Sequence, residues 1–273
     1  MKTILCTTDF SRPSSKVCRY AAQLARQIGA KLVLLHATQP SFVYTPDMGA
    51  LAFNDNALLK HEETKMKALA RRLVKLVEGE ILIETLVYEG FVADVIKQTA
   101  LQIKPDMLVM STVGQLPQSS ELLGNIATEM IQKSPVPLLF IPPKATFKPY
   151  THVYLALDLA QETNTHAIQQ TLNTLKAFKA VITIFSVHPK PESEEAKLKV
   201  WQLRELLKEY PHVMNVMKGK DFVEDFVRNA HEYKADLMLV FPKHHNLLER
   251  WFMGQPNTEQ LMFRADLPIM AIH

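Results

Sequence analysis

Lys104-Pro105-Asp106-Met107-Leu108-Val109 returns later in the chain as Lys234-Ala235-Asp236-Leu237-Met238-Leu239, a constant offset of 130 residues (104 to 234). Each copy reads as the close of a helix followed by a short apolar strand. At that same offset Gly124 falls on Gly254 and Glu129 on Glu259, and Pro137 meets Pro268 once one residue is inserted. The match is in residue type and spacing as well as in element type, which marks an internal duplication.

Reading outward from this repeat, the first half starts with an apolar strand over 3–8 that ends at Asp9. A helix follows with Val17, Tyr20, Ala21, Leu24 and Ile28 on one face, closed by Gly29. Lys31 to Ala37 is an apolar strand. Gln39–Ala50, with two prolines and a glycine, reads as an exposed loop. A long helix to about Glu78 turns Leu59, Met66, Leu69, Leu73 and Val77 inward. Ile81–Val87 is the next strand, and Phe91, Val95, Ile96 and Thr99 mark the next helix. Met107–Met110, a polar loop, a helix from about Gly124 and a strand at Pro137–Ile141 complete the unit. Strands apolar throughout, alternating with amphipathic helices, predict a parallel sheet covered on both faces.

Pro142-Pro143 to Pro149 reads as a linker, after which the pattern restarts. Val153–Leu157 ends at Asp158, and strands at Val181–Val187, His212–Met217, Leu237–Phe241 and Pro268–Ile272 follow, with a helix at about 192–209. The expected architecture is α/β: two tandem doubly wound, five-stranded parallel-sheet domains, at 1–143 and 150–273.

Of the 273 residues, 47% are apolar and 22% charged, with a net charge of +3 and no run of five or six like charges. That balance is globular and asks for no nucleic acid. Cys6 and Cys18 are too few for a disulfide framework and read as core thiols. Met1-Lys2-Thr3-Ile4-Leu5 enters a strand at once, with no signal-peptide apolar region, and no apolar run reaches membrane-spanning length. The expected address is the cytoplasm, without membrane attachment.

In an open parallel sheet, ligands bind beyond the carboxyl ends of the strands, where the winding direction reverses. Asp9 after the first strand and the loop after the fourth meet there. That loop reads Ser111-Thr112-Val113-Gly114, then nine residues, then Gly124-Asn125-Ile126 entering a helix. Two readings stand. Glycines admit a phosphate close to the backbone and the helix start offers N–H groups to an anion, with Asp9 accepting from a base or ribose. Alternatively, the glycines shape turns and Asp9 caps the first helix.

The order strand-Asp9-Phe10-Ser11, the strand LVLLHA at 32–37, and Gly114-x9-Gly124-Asn125 followed by Pro135-Val136-Pro137-Leu138-Leu139-Phe140-Ile141-Pro142 resemble the universal stress protein family. The resemblance covers essentially the whole chain, twice, and is clearest in the first half. It implies a Rossmann-like, adenine nucleotide alpha hydrolase-like fold and ATP as ligand of the N-terminal domain. The aspartate after the first strand contacts the adenine end, which points to Asp9. A backbone group after the second-strand histidine contacts the base, which points to Ala37 beside His36. The glycine loop and the residues after it hold phosphates and ribose, which points to Ser111, Gly114, Gly124, Asn125 and Ile126. Ser111 stands where the family pattern G-x2-G-x9-G-[ST] opens on glycine, and Asn125 stands at its Ser/Thr.

The second half departs further. His244 stands against Gly114, and only Gly254 survives, followed by Gln255-Pro256. Pro256 removes an N–H that a phosphate would use, so no tight nucleotide site is expected there, although Asp158 is retained. His244-His245 are adjacent and lack partners at ligand spacing, so no metal site is expected. Trp201 and Trp251 read as helix-packing residues, and Leu247-Leu248 with Trp251-Phe252 as an apolar contact surface.

The sequence holds no nucleophile–base set, no G-x4-G-K-[ST] loop and no metal-ligand cluster, and Ser119 and Ser120 read as loop serines. The preferred expectation is a stress-response binding or signalling protein whose halves form an intramolecular pseudo-dimer. A homodimer of the whole chain is a further expectation, since single-domain relatives commonly dimerise. The alternatives are a slow ATP-hydrolysing enzyme and a ligand-free interaction scaffold.

Overall fold

The computed structural model describes residues 2–39, 41–45, 49–53, 56–112, 125–157, 168–169, 172, 175–188, 190–218, 228–240 and 267–272. Its internal contacts divide the chain into two compact units, Met1–Leu138 and Leu139–His273.

In the first unit β1 (Thr3–Thr7) pairs in parallel with β2 (Lys31–Thr38) on one side and with β6 (Met107–Ser111) on the other, and β5 (Ile83–Glu89) flanks β2. The order is therefore β5-β2-β1-β6, and Leu108 N–H donates to Pro137 O (2.8 Å) at the lead-in to β7 (Leu138–Ile141). From β1 the chain steps outward to β2 and β5, then returns to the far side of β1. The winding reverses between β1 and β6.

Helix α1 (Arg12–Ile28) packs on β1, β2 and β6, and α2 (Asn56–Leu76) packs beside it on β2 and β5. Helix α3 (Val92–Ile103) contacts α4 (Asn125–Lys133). Right-handed crossovers with this strand order put α1 and α2 on one face and the later pair on the other. That is why Ile4, Leu5, Cys6, Leu32, Leu34, Leu108 and Val109 are all buried: both faces of the sheet are covered.

Helix α1 is set at both ends. Ser11 accepts from Ser14 N–H as N-cap, Pro13 occupies the first turn where its missing N–H costs nothing, and Gly29 at φ 64° closes the helix in the left-handed conformation. Val17, Tyr20, Ala21 and Leu24 are buried as their spacing predicts, with Ile28 half-buried. Cys6 and Cys18 are buried with their sulfurs 3.8 Å apart. The thiol contact and burial together push the Cys6 thiol well above its ordinary value.

One expected loop is a hairpin. β3 (Ser41–Thr45) and β4 (Gly49–Phe53) pair antiparallel, from Ser41 opposite Phe53 to Thr45 opposite Gly49. Pro40 and Pro46 bracket Ser41-Phe42-Val43-Tyr44-Thr45 rather than interrupt it, so the prolines punctuate a β-branched and aromatic run.

The second unit repeats the order. β10 (His212–Lys218), β9 (Val181–His188), β8 (His152–Ala156), β11 (Leu237–Val240) and β12 (Ile269–Ala271) are parallel neighbours in that sequence. Tyr150 packs edge-on against Phe178, and Tyr154 lies against Phe185, within its core. The duplicated Lys-x-Asp has the same geometry in both units. Lys104 (φ 45°) and Lys234 (φ 51°) each close a helix in the left-handed conformation. Asp106 then accepts from Thr3 N–H (2.7 Å), and Asp236 from Thr151 N–H (2.9 Å) and His152 N–H (3.0 Å). One short motif thus ends a helix and fixes the start of the unit's first strand.

Trp201 departs from its expected role. It lies on α5 (Glu194–Leu207) and is 59% exposed. The buried positions of α5 are Ala196, Leu203 and Leu207, and Trp201, two residues before Leu203, points roughly 200° away round the helix. Trp251, Leu247, Leu248 and Phe252 lie outside the described residues, as do Asp158, His244, His245, Gly254, Gln255 and Pro256.

Candidate functional site

The carboxyl ends of β1, β2 and β6 converge where the winding reverses. The last β1–β6 register pair is Cys6 with Val109, and the β1–β2 ladder ends at Thr7 with Leu35, sealed by Thr8 N–H donating to Leu35 O (2.9 Å). Leu35 therefore presents its carbonyl to β1. In a parallel strand this facing alternates, so Ala37 turns its N–H and C=O to that same side, beyond the point where β1 has ended. Leu108 donates away from β1, so by the same alternation Ser111 faces it. Asp9 leaves β1 between these two strand ends.

Asp9 is half-buried, and its Oδ1 accepts from Ser11 N–H (3.0 Å). Partial burial works against its ionisation. The hydroxyls of Ser11 and Ser14 and the backbone N–H of Ser11 outweigh that and hold the carboxyl below the usual aspartate range. The helix cap itself is Ser11, so Asp9 braces the turn before the helix instead of capping it. Phe10 takes a left-handed backbone (φ 60°), with its N–H on Thr8 Oγ1 (3.1 Å). Such a conformation is costly for a residue with a Cβ, and here the surrounding contacts impose it.

On the other side of the exit from β1, Asn125 and Ile126 form the first turn of α4, and Ile126 is half-buried. A helix that follows β6 begins at the carboxyl end of the sheet, so its unpaired N–H groups belong to this same end. Gly114 and Gly124 lie outside the described residues, as do Ser119 and Ser120. The structure thus gathers Asp9, Ala37, Ser111, Asn125 and Ile126 at one end of the sheet.

Sequence reasoning missed the α2 residues beside this end. Glu62 is only 8% exposed, and its Oε2 stands 3.7 Å from Nε2 of the buried His36. Its Oε1 pairs with Lys65 Nζ at 3.0 Å. A signal existed: Leu59, Glu62, Met66, Leu69 and Leu73 follow a spacing of three and four, so Glu62 lies on the apolar stripe. His36 Nδ1 is 2.8 Å from Thr8 O, which ties the end of β2 to the exit from β1. Among the described residues, no group of three or more His, Cys, Asp and Glu is placed to hold a metal ion, and no helix is long and apolar enough to cross a membrane.

The sequence model of the universal stress protein family matches residues 1–142. A universal stress protein of Thermus aquaticus is 29% identical over 140 residues, covering 51% of this chain and 98% of that protein. One of Methanocaldococcus jannaschii is 28% identical over 141 residues, 51% of this chain and 81% of its own length. The crystal structure of a universal stress protein from Archaeoglobus fulgidus superposes with a TM-score of 0.70 at 16% identity, over 98% of this chain and 97% of that one. At that identity the likeness shows the fold, and it does so for both halves. The parallel, doubly wound sheet and the matched first half together place this chain in the universal stress protein family.

Proposed function

We propose that this protein is a cytoplasmic stress-response binding or signalling protein whose first domain, 1–143, binds ATP, while the second, 150–273, carries a degenerate site. The observation that carries the reading is the half-buried Asp9, held ionised where the winding reverses. An ionised carboxylate there accepts from the amino group of adenine or from ribose hydroxyls and repels phosphate, so it orients the ligand with its base toward β1. Ala37 offers backbone groups to the base. The phosphates then fall to the loop from Ser111 through Gly114 to Gly124 and to the first N–H groups of α4 at Asn125 and Ile126. Ser111 and Asn125 replace a glycine and a hydroxyl residue of the family pattern, which favours modest affinity. Pro256 and His244 stand against the phosphate-holding residues in the second half.

Calorimetric titration of ATP into the intact chain tests this, with Gly124→Trp as control. One-to-one binding that the variant loses supports a single site in the first domain. A folded protein that gives no heat and carries no co-purified nucleotide favours a scaffold without ligand. Slow turnover that Asp9→Ala abolishes would make the same site a weak hydrolase.

A further inference from the structure

The N-terminal half of α2 lays a buried carboxylate against a buried histidine. His36 Nδ1 is 2.8 Å from the carbonyl oxygen of Thr8. A carbonyl only accepts, so Nδ1 carries its hydrogen and the state of Nε2 is the one left to decide. Nε2 faces Glu62 Oε2 at 3.7 Å, and Oε2 is buried without a hydrogen-bond partner. With His36 neutral and Glu62 ionised, two lone pairs oppose each other away from water, and each goes unsatisfied. One proton resolves the conflict: Nε2–H then donates to Oε2.

We propose that His36 and Glu62 share one proton, and that its uptake clamps α2 onto Phe10 and the ends of β1 and β2, beside Asp9 and Ala37. The Phe10 ring lies on His36 with centroids 4.5 Å apart, and Lys65 Nζ sits 5.6 Å from the same ring. Phe10 is thus held between the histidine and α2. Closing the 3.7 Å gap to hydrogen-bond length tightens that sandwich next to the candidate base site.

Among the described residues, the charged, titratable and hydrogen-bonding groups on the elements around the pair include these. On α2 they are Glu62 and Lys65, whose side chain is 45% exposed, with the exposed His61 beside them. On the β1 side they are the Thr8 carbonyl and the Asp9 carboxylate. β5 brings Val87 opposite His36, with Tyr88 and Glu89 following, and α3 carries Asp94 in its first turn. Closing takes up a proton, so the closed clamp is favoured as pH falls. Its link to ligand affinity rests on the nucleotide reading above.

The test is amide exchange of the nucleotide-free full chain at about pH 6 and about pH 8, with labelling times scaled to the chemical rate and α3 as internal reference. Protection of α2 relative to α3 is expected to be roughly threefold or more greater at the lower pH. Glu62→Gln places an amide N–H donor opposite a neutral Nε2, so it keeps the protection and loses the pH dependence. Should that variant fail to fold, His36→Gln, which takes up no proton, is expected to give an equally flat profile. A wild-type ratio unchanged between the two pH values overturns the proposal, as does a Glu62→Gln profile like that of wild type. Adenosine, which has no titrating phosphate, then probes the base site: affinity rising several-fold toward the lower pH supports the link. If adenosine binds at neither pH, the link to the base site fails while the exchange result still decides the shared proton.

Discussion

Asp9 and Ser11 are two residues apart and divide the work of one turn. The carboxylate braces the loop and the hydroxyl caps the helix. Because the folded protein favours ionised Asp9, that stabilisation is present above the ordinary aspartate value of about 3.9 and is lost as pH falls through the lower folded value. Asp9→Asn keeps the shape and removes the charge, so its urea midpoint at about pH 7 is expected to lie below that of wild type, with the gap narrowing toward about pH 3. An equal gap at both pH values would mean that the hydrogen bonds do not depend on the charge. Asp9 was legible from sequence because it follows a strand at a reversal of winding. The left-handed Phe10 was not, since no local signal marks φ 60° at a phenylalanine and tertiary contacts impose it.

Elements were legible where burial on two faces writes a continuous apolar run or a helical stripe, as at Leu32–Leu35 and Val17–Leu24. They were obscured where prolines stand at strand ends, as in the β3–β4 hairpin, and on the helix that was read, the buried Glu62 was missed because a charge on the apolar stripe reads as solvent-facing. The Lys-x-Asp motif was visible as a repeat, but its task appears only in the structure. Asp106→Ala removes an acceptor from Thr3 N–H and is expected to cost about 1 kcal/mol. Asp236 accepts from Thr151 Oγ1 as well as from two backbone N–H groups, so Asp236→Ala is expected to cost about 2 kcal/mol. Urea unfolding of each variant checks the order, and a larger loss for Asp106→Ala would show that the motif acts differently in the two units. Gly90 offers a second check. A Cβ there would meet Val95 Cγ2 at 2.8 Å and the residue stands at φ 153°, so Gly90→Ala is expected to loosen the β5–α3 joint by about 1–3 kcal/mol.

At the scale of the molecule, duplication preserves what builds the fold and varies the loop proposed to hold a ligand. Both units keep the aspartate of Lys-x-Asp and the same strand order, because each needs them to bury its own core. The loop after the fourth strand carries no such constraint, and there the second unit has His244 and Pro256 against Gly114 and Ile126. A ligand that binds only the folded first unit stabilises that unit by RT ln(1 + [L]/Kd), about 2.7 kcal/mol at a hundredfold excess over Kd. The second unit gains only what its coupling to the first transmits. ATP is therefore expected to slow amide exchange strongly in peptides from residues 2–112 and 125–138, and to leave those from 150–157, 181–188 and 237–240 nearly unchanged. Equal protection of β8 and β1 would mean either that the degenerate loop still binds nucleotide or that the two units open as one cooperative block. Repeating the measurement with Gly124→Trp separates these. A second site in the C-terminal unit keeps its own protection when the first is blocked, whereas a single site with cooperative opening loses protection in both units together.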